Sequence, residues 1–140
     1  RKNPGAMLRL FNQMFRRGEP AVFVCRIINR DPSTDVAGEI RALELSESGG
    51  RIHFIVNREV PHYQLAALYR SVDCFVTSAR GEGWGLPLME AMACGTPAIA
   101  TGWGGHTAFL DPDDPGTEGV QFVYAVPCGH EVEPASELTA

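Results

Sequence analysis

Apolar positions along this chain follow two rhythms, a helical one and short continuous runs, and the two alternate. Behind Pro4, whose fixed φ suits a first helical turn, Met7, Leu8, Phe11, Met14 and Phe15 form one stripe and predict a helix ending near Gly18. AVFVCRI, residues 21–27, reads as a buried strand. Pro32-Ser33-Thr34-Asp35 offers caps for a helix reaching about Ser46, and RIHFIV, 51–56, is the next strand. Pro61 opens a helix with Leu65, Leu68, Tyr69 and Val72 on one side, and CFVTS, 74–78, follows as a strand. A helix from Pro87 to a cap at Gly95, a strand over 97–101 and a shorter helix after Gly104-Gly105 continue the pattern. A proline-rich loop over 112–119 and a strand over 120–126 complete it, and the last dozen residues show no period. Strand and helix in alternation predict an α/β fold, a Rossmann-like parallel sheet with helices on both faces.

Length and charge narrow the picture without defining it. At 140 residues, 1–140 is one domain able to bury a core. A net charge of −5 lacks the positive surface that nucleic-acid binding needs. No apolar run is long enough to span a bilayer and no leader-like segment stands at the start, so the expected location is cytoplasmic. Cys25, Cys74, Cys94 and Cys128 are isolated from one another and suit a core better than a metal or a redox pair. Arg1, Lys2, Arg9, Arg16 and Arg17 would give the first helix a basic side that admits contact with an anionic membrane. Packing of its apolar stripe on the sheet accounts for the helix more simply.

The segment EGWGLPLMEAMACGTP, Glu82 to Pro97, carries the chemistry. It lies where a strand leads into a helix N-terminus, the edge at which ligands settle in such sheets. Seven of the fifteen glycines fall between Gly81 and Gly105, which keeps the backbone bare for close approach. The free amides of Trp84, Gly85 and Leu86, together with the helix dipole, make an anion site sized for a phosphate or diphosphate. Glu90, one turn along, can accept hydrogen bonds from the diol of a ribose, and Glu82 lies on the other side, where a second polyhydroxylated group would sit. The ligand so described is a nucleotide sugar. Among the histidines only His106, beside the paired glycines, is a candidate phosphate neighbour, and Asn57–Val60 are candidates to border the base. Asp111-Pro112-Asp113 has the spacing of a divalent-metal site, but its surroundings, DPDDPGTEG, read as a solvated turn. No metal and no other cofactor is expected.

These residues resemble a family. The run SARGEGWGLPLMEAMACGTPAIATGWGG, Ser78 to Gly105, is similar to the donor-binding signature of retaining GT-B glycosyltransferases of the group-one, or family-four, class. LYRSVDCFVTS, 68–78, matches the approach to that signature, so the resemblance extends from Pro61 to about Leu110. It implies that Glu90 holds ribose hydroxyls, that Glu82 contacts the transferred sugar as a positioning group, and that amides from Gly83 to Leu86 receive the phosphates. It also implies donor contact at Gly104 and Gly105 and a phosphate-neutralising role for Lys2. Many members carry an acidic residue three positions after the paired glycines, where this chain has Ala108. In such enzymes a first Rossmann-like domain binds most of the acceptor, so the expectation is the C-terminal, donor-binding half of a longer two-domain hexosyltransferase, inactive by itself. A non-catalytic sugar-nucleotide-binding module and a sugar-nucleotide epimerase of the same architecture are the alternatives.

Overall fold

A computed structural model describes residues 3–110 and, for the backbone, 123–126. Its elements are α1 Pro4–Met14, β1 Val22–Ile27, α2 Val36–Arg41, β2 Arg51–Val56, α3 His62–Arg70, β3 Phe75–Thr77, α4 Leu86–Ala93, β4 Ala98–Thr101, a 3-10 helix Gly105–Phe109, and β5 Val123–Val126. The order alternates strand and helix as the sequence pattern predicts. The expected loop over 112–119 and residues 120–122 of the last expected strand lie outside the described residues, as do Arg1, Lys2, Asp111, Asp113, Cys128 and His130.

Every strand pairing among the described residues is parallel, and the chain is an α/β protein of Rossmann-like type. Among the described residues the strands form two hydrogen-bonded sheets, β1-β2 and β3-β4-β5, where one sheet was expected. β1 and β2 pair from Val22 opposite Arg51 to Ile27 opposite Val56, and β4 lies between β3 and β5. A side-chain bond connects the two halves: Ser78 Oγ, just beyond β3, donates to the Asn3 carbonyl at 3.0 Å. The start of α1 is thereby held beside the carboxyl end of β3.

Two helices are shorter than their apolar patterns suggest, because tertiary hydrogen bonds end them. α1 stops at Met14: Phe15 is extended, Arg16 pairs with Gly49 in an isolated antiparallel bridge, and the Arg17 amide donates to Ser48 O at 3.0 Å. The chain cannot serve both that bridge and a further helical turn. Met14, expected in the buried stripe, is therefore exposed, while Phe11 packs against Phe15 and Phe23 with ring centres 4.6 and 5.3 Å apart. α2 begins on Asp35, whose carboxylate accepts from the Gly38 amide at 2.8 Å. It ends at Arg41, well short of Ser46: Glu44 adopts a left-handed φ of 51°, and the Ser46 amide donates to the buried Asn12 side chain at 2.8 Å.

β1 differs from the buried strand expected. Its residues alternate between exposed and half-buried, with Val22 and Val24 outward, and the six-residue α2 buries no side chain. The second sheet holds the tighter core. Leu88 of α4 packs on Ala98 and Ala100 of β4, all three buried, with Phe75, Met92, Phe109 and Leu110 around them. Alanines on alternate positions of β4 let the helix approach the sheet closely.

Candidate functional site

The site grows from the ends of β3 and β4, whose following loops meet above the start of α4. Gly85 caps the helix at a left-handed φ of 86°, and Gly104 has a φ of 121°. Both are conformations that only glycine takes at low cost. The Gly105 amide donates to the Glu82 carbonyl at 2.8 Å, joining the two loops. Their approach is close enough that a Cβ on Gly105 would fall on the Gly83 carbonyl, and one on Gly104 would lie 3.1 Å from the Glu82 carbonyl oxygen. Gly85, Gly104 and Gly105 thus use their missing side chains in packing loop on loop, while a Cβ on Gly83 would meet nothing within 4 Å.

α4 begins at Leu86, one residue before the expected Pro87, and Pro87 occupies its second position. The first amides of the helix have no intrahelical acceptor, so they and the dipole favour an anion at this end. Trp84 and Leu86 stand half-exposed at its rim, the Trp84 ring tilted against Phe109 at 5.6 Å. Glu82 lies on the loop before the helix, its Cγ 3.6 Å from where a Gly85 Cβ would be. The far end of α4 closes as a two-bond cap: Gly95 at φ 78° donates to Met92 O at 2.9 Å and Thr96 to Ala91 O at 3.0 Å. That cap confirms Gly95 as the helix terminator.

Glu90 sits half-buried one turn along, and its Oε2 accepts a 2.8 Å hydrogen bond from the Tyr69 hydroxyl of α3. Tyr69 is fixed in turn. Its ring meets Phe75 edge-on at 6.0 Å and 71°, and its carbonyl accepts from the buried Thr96 hydroxyl at 2.8 Å. Burial, then the bond to Glu90 and that residue's negative charge, push the Tyr69 hydroxyl far above the usual phenol range, so it stays a proton donor.

His106 occupies a different position from the one expected of a phosphate neighbour. Its ring is buried beneath the glycine loops, with its Cβ 2.9 Å from where a Gly85 Cβ would be, and Nε2 lies 2.6 Å from the Thr101 carbonyl. A carbonyl only accepts, so Nε2 is the donor in this bond. Neither Nδ1 nor Thr101 Oγ1 has a hydrogen-bond partner among the described residues. Asn57, proposed from sequence to border the base, joins strand ends: its amide donates to Ile27 O and its Oδ1 accepts from the Asn29 amide, both at 2.8 Å.

The structure therefore brings Glu82, Gly83, Trp84, Gly85, Leu86, Glu90, Gly104 and Gly105 into two adjoining loops and one helix. Lys2 lies outside the described residues. Sequence reading missed Tyr69 as the partner of Glu90, and no local pattern marks it, since the residues are 21 positions apart on different helices. Among the described residues no group of three or more His, Cys, Asp or Glu could hold a metal, and no helix is long and apolar enough to cross a membrane. Cys25, Cys74 and Cys94 are free thiols, and burial raises the pKa of the first two.

Parallel strands whose carboxyl ends open into glycine loops at a helix N-terminus define an α/β domain, and that end is the edge at which such folds generally bind ligands. The model of the family "Glycosyl transferases group 1" matches residues 35–120, more than half of the chain. The chain belongs to that family. It is 32% identical over 84 residues to the mannosylfructose-phosphate synthase of Agrobacterium fabrum, a match covering 54% of this chain and 17% of the relative. Against the D-inositol 3-phosphate glycosyltransferase of Corynebacterium jeikeium it is 31% identical over 114 residues, covering 79% of this chain and 26% of the relative. The enzyme of that name from Corynebacterium diphtheriae is 33% identical over 107 residues, 74% of this chain and 24% of its own length. The chain thus spans about a quarter or less of the curated relatives it matches. No solved structure matches it.

Proposed function

We propose that these residues are the donor-binding part of a retaining glycosyltransferase, which moves a hexose-type sugar from a nucleotide diphosphate sugar to an acceptor hydroxyl. The observation that carries this reading is the N-terminus of α4, capped by Gly85 and by no side chain, with a glutamate on either side of it, Glu82 ahead and Glu90 one turn within. The amides of Gly83, Trp84, Gly85 and Leu86 receive the diphosphate, beside Gly104 and Gly105. Glu90 accepts from the ribose hydroxyls, and Glu82 positions hydroxyls of the sugar.

The helix terminus stabilises the charge that grows on the diphosphate as its bond to the anomeric carbon breaks. The acceptor oxygen forms its new bond to that carbon on the same face, and its proton passes to the departing phosphate. Lys2 adds counter-charge. The acceptor is held mainly by a separate domain, the reaction needs no divalent metal, and the enzyme works in the cytoplasm.

Calorimetric titration of the 140-residue chain with UDP, GDP and ADP in EDTA tests this, with manganese added afterwards. Binding is expected without metal; on this reading a separate domain holds the acceptor, so the chain alone should transfer no sugar when given the corresponding nucleotide sugars. Glu90→Ala should weaken the nucleotide by about 1 to 3 kcal/mol, the scale of hydrogen bonds to a charged group. Strict dependence on manganese would point to Asp111 and Asp113 and overturn the helix-terminus site. An unchanged affinity in a folded Glu90→Ala variant would remove Glu90 from it.

A further inference from the structure

We infer that Tyr69 is a positioning residue for sugar-ring recognition: its hydroxyl aims the Glu90 carboxylate, and so sets the preference of this site for ribo- over 2′-deoxyribonucleotides. The inference rests on the reading that Glu90 takes the ribose diol, and adds the group that makes it selective.

A glutamate side chain rotates about three bonds, and ordering it at the moment of binding would reduce affinity. Here Glu90 is ordered beforehand by the 2.8 Å bond from Tyr69 to its Oε2. The donor is itself rigid, since its ring rests on Phe75 and its backbone is held by the Thr96 hydroxyl. Its proton is secure, because burial and the adjoining carboxylate both oppose ionisation. A carboxylate accepts about four hydrogen bonds. With one site on Oε2 filled by Tyr69, Oε1 and the outer side of Oε2 are left to face two neighbouring hydroxyls. A single hydroxyl, as on a 2′-deoxyribose, would leave part of this prearranged acceptor unused.

Tyr69→Phe isolates the effect, because it keeps the ring against Phe75 and removes only the donor. The probes are UDP, GDP and ADP, each beside its 2′-deoxy form, titrated calorimetrically into the 140-residue chain and its Tyr69→Phe, Glu90→Ala and doubly substituted variants. The unsubstituted chain should prefer the ribo form about tenfold, the scale of a hydrogen bond to a charged acceptor. Tyr69→Phe should narrow that ratio about threefold or more with little change for the deoxy form, and should leave the ratio unaltered when Glu90 is already Ala. A folded Tyr69→Phe chain with an unchanged ratio overturns the inference while Glu90 keeps its role. Equal weakening of ribo and deoxy forms overturns it as well, by reducing Tyr69 to structural support. A chain that binds both forms equally before any substitution overturns the Glu90 assignment, and the inference falls with it.

Discussion

The two sheets of this protein pack by different means. In β1-β2 the contacts come from bulky side chains on one face, Phe11 of α1 against Phe23, while the other face leaves Val22 and Val24 exposed. Polar bonds secure that half. Buried Asn12 donates to Ser46 O and Gly50 O, each at 3.1 Å, and accepts from the Ser46 amide. In β3-β4 small residues bring backbones together: Ala98 and Ala100 under Leu88, and glycine loops that touch with no side chain between them. The first half also holds an open cavity of about 470 Å³, lined by Asn12, Arg17, Val22 and Arg51 among others, at the amino ends of its strands. The glycine loops stand at the carboxyl ends of theirs. Side-chain packing tolerates exposure and irregular space, whereas the loop-on-loop contact leaves a helix terminus open to a ligand and, at Gly105, leaves no room for an added atom.

The sharpest way to break this contrast is one methyl group. Gly105→Ala puts a Cβ on the Gly83 carbonyl, which is backbone and cannot swing aside. A stability loss of about 3 kcal/mol is expected, the upper part of the range for overpacking, together with loss of nucleotide binding. Gly18→Ala, with nothing within 4 Å of the new atom, is the control and should change neither. Thermal melts and calorimetry on both variants decide the matter. Normal binding by a stable Gly105→Ala chain would show that the loops are free to part.

Asn12→Ala should lower stability by about 2 kcal/mol, because it strands the buried Gly50 carbonyl and removes two part-buried bonds to the Ser46 backbone. Nucleotide affinity should stay the same in the folded fraction. Denaturant unfolding followed by titration would reveal it, and a parallel fall in affinity would mean that the halves are coupled more tightly than the Ser78–Asn3 bond suggests.

The smallest effect belongs to the exposed Asp31. Its carboxyl is held below the usual range by the Ser33 hydroxyl first and the Ser33 amide next, with a weaker contribution from Thr34. A folded-state pKa below the unfolded one stabilises the chain fully above the ordinary carboxylate range, and this contribution is lost as pH falls through the lowered value. The melting temperatures of the wild-type chain and Asp31→Asn should therefore differ slightly near neutrality and converge in acid. A gap that persists into acid would assign the effect to turn shape and not to charge.

Much of this protein was written locally. The strand Arg51–Val56, the start of α1 at Pro4 and the Gly95 cap follow from a β-branched run, a fixed proline φ and a left-handed residue, all of which act within a few positions. The glycine-rich approach to α4 was legible for the same reason: a backbone that must come close to something has to be bare, whatever it approaches. Tertiary structure decided the rest. Whether α2 ran on to Ser46 depended on Asn12, 34 residues away; whether His106 faced a ligand or the core depended on how the Glu82–Gly85 and Gly104–Gly105 loops met. The partner of Glu90 was likewise fixed when α3 and α4 came to lie side by side. A turn, a cap or a period is paid for by neighbours in sequence, but a hydrogen bond between distant residues exists only once the chain has brought them together.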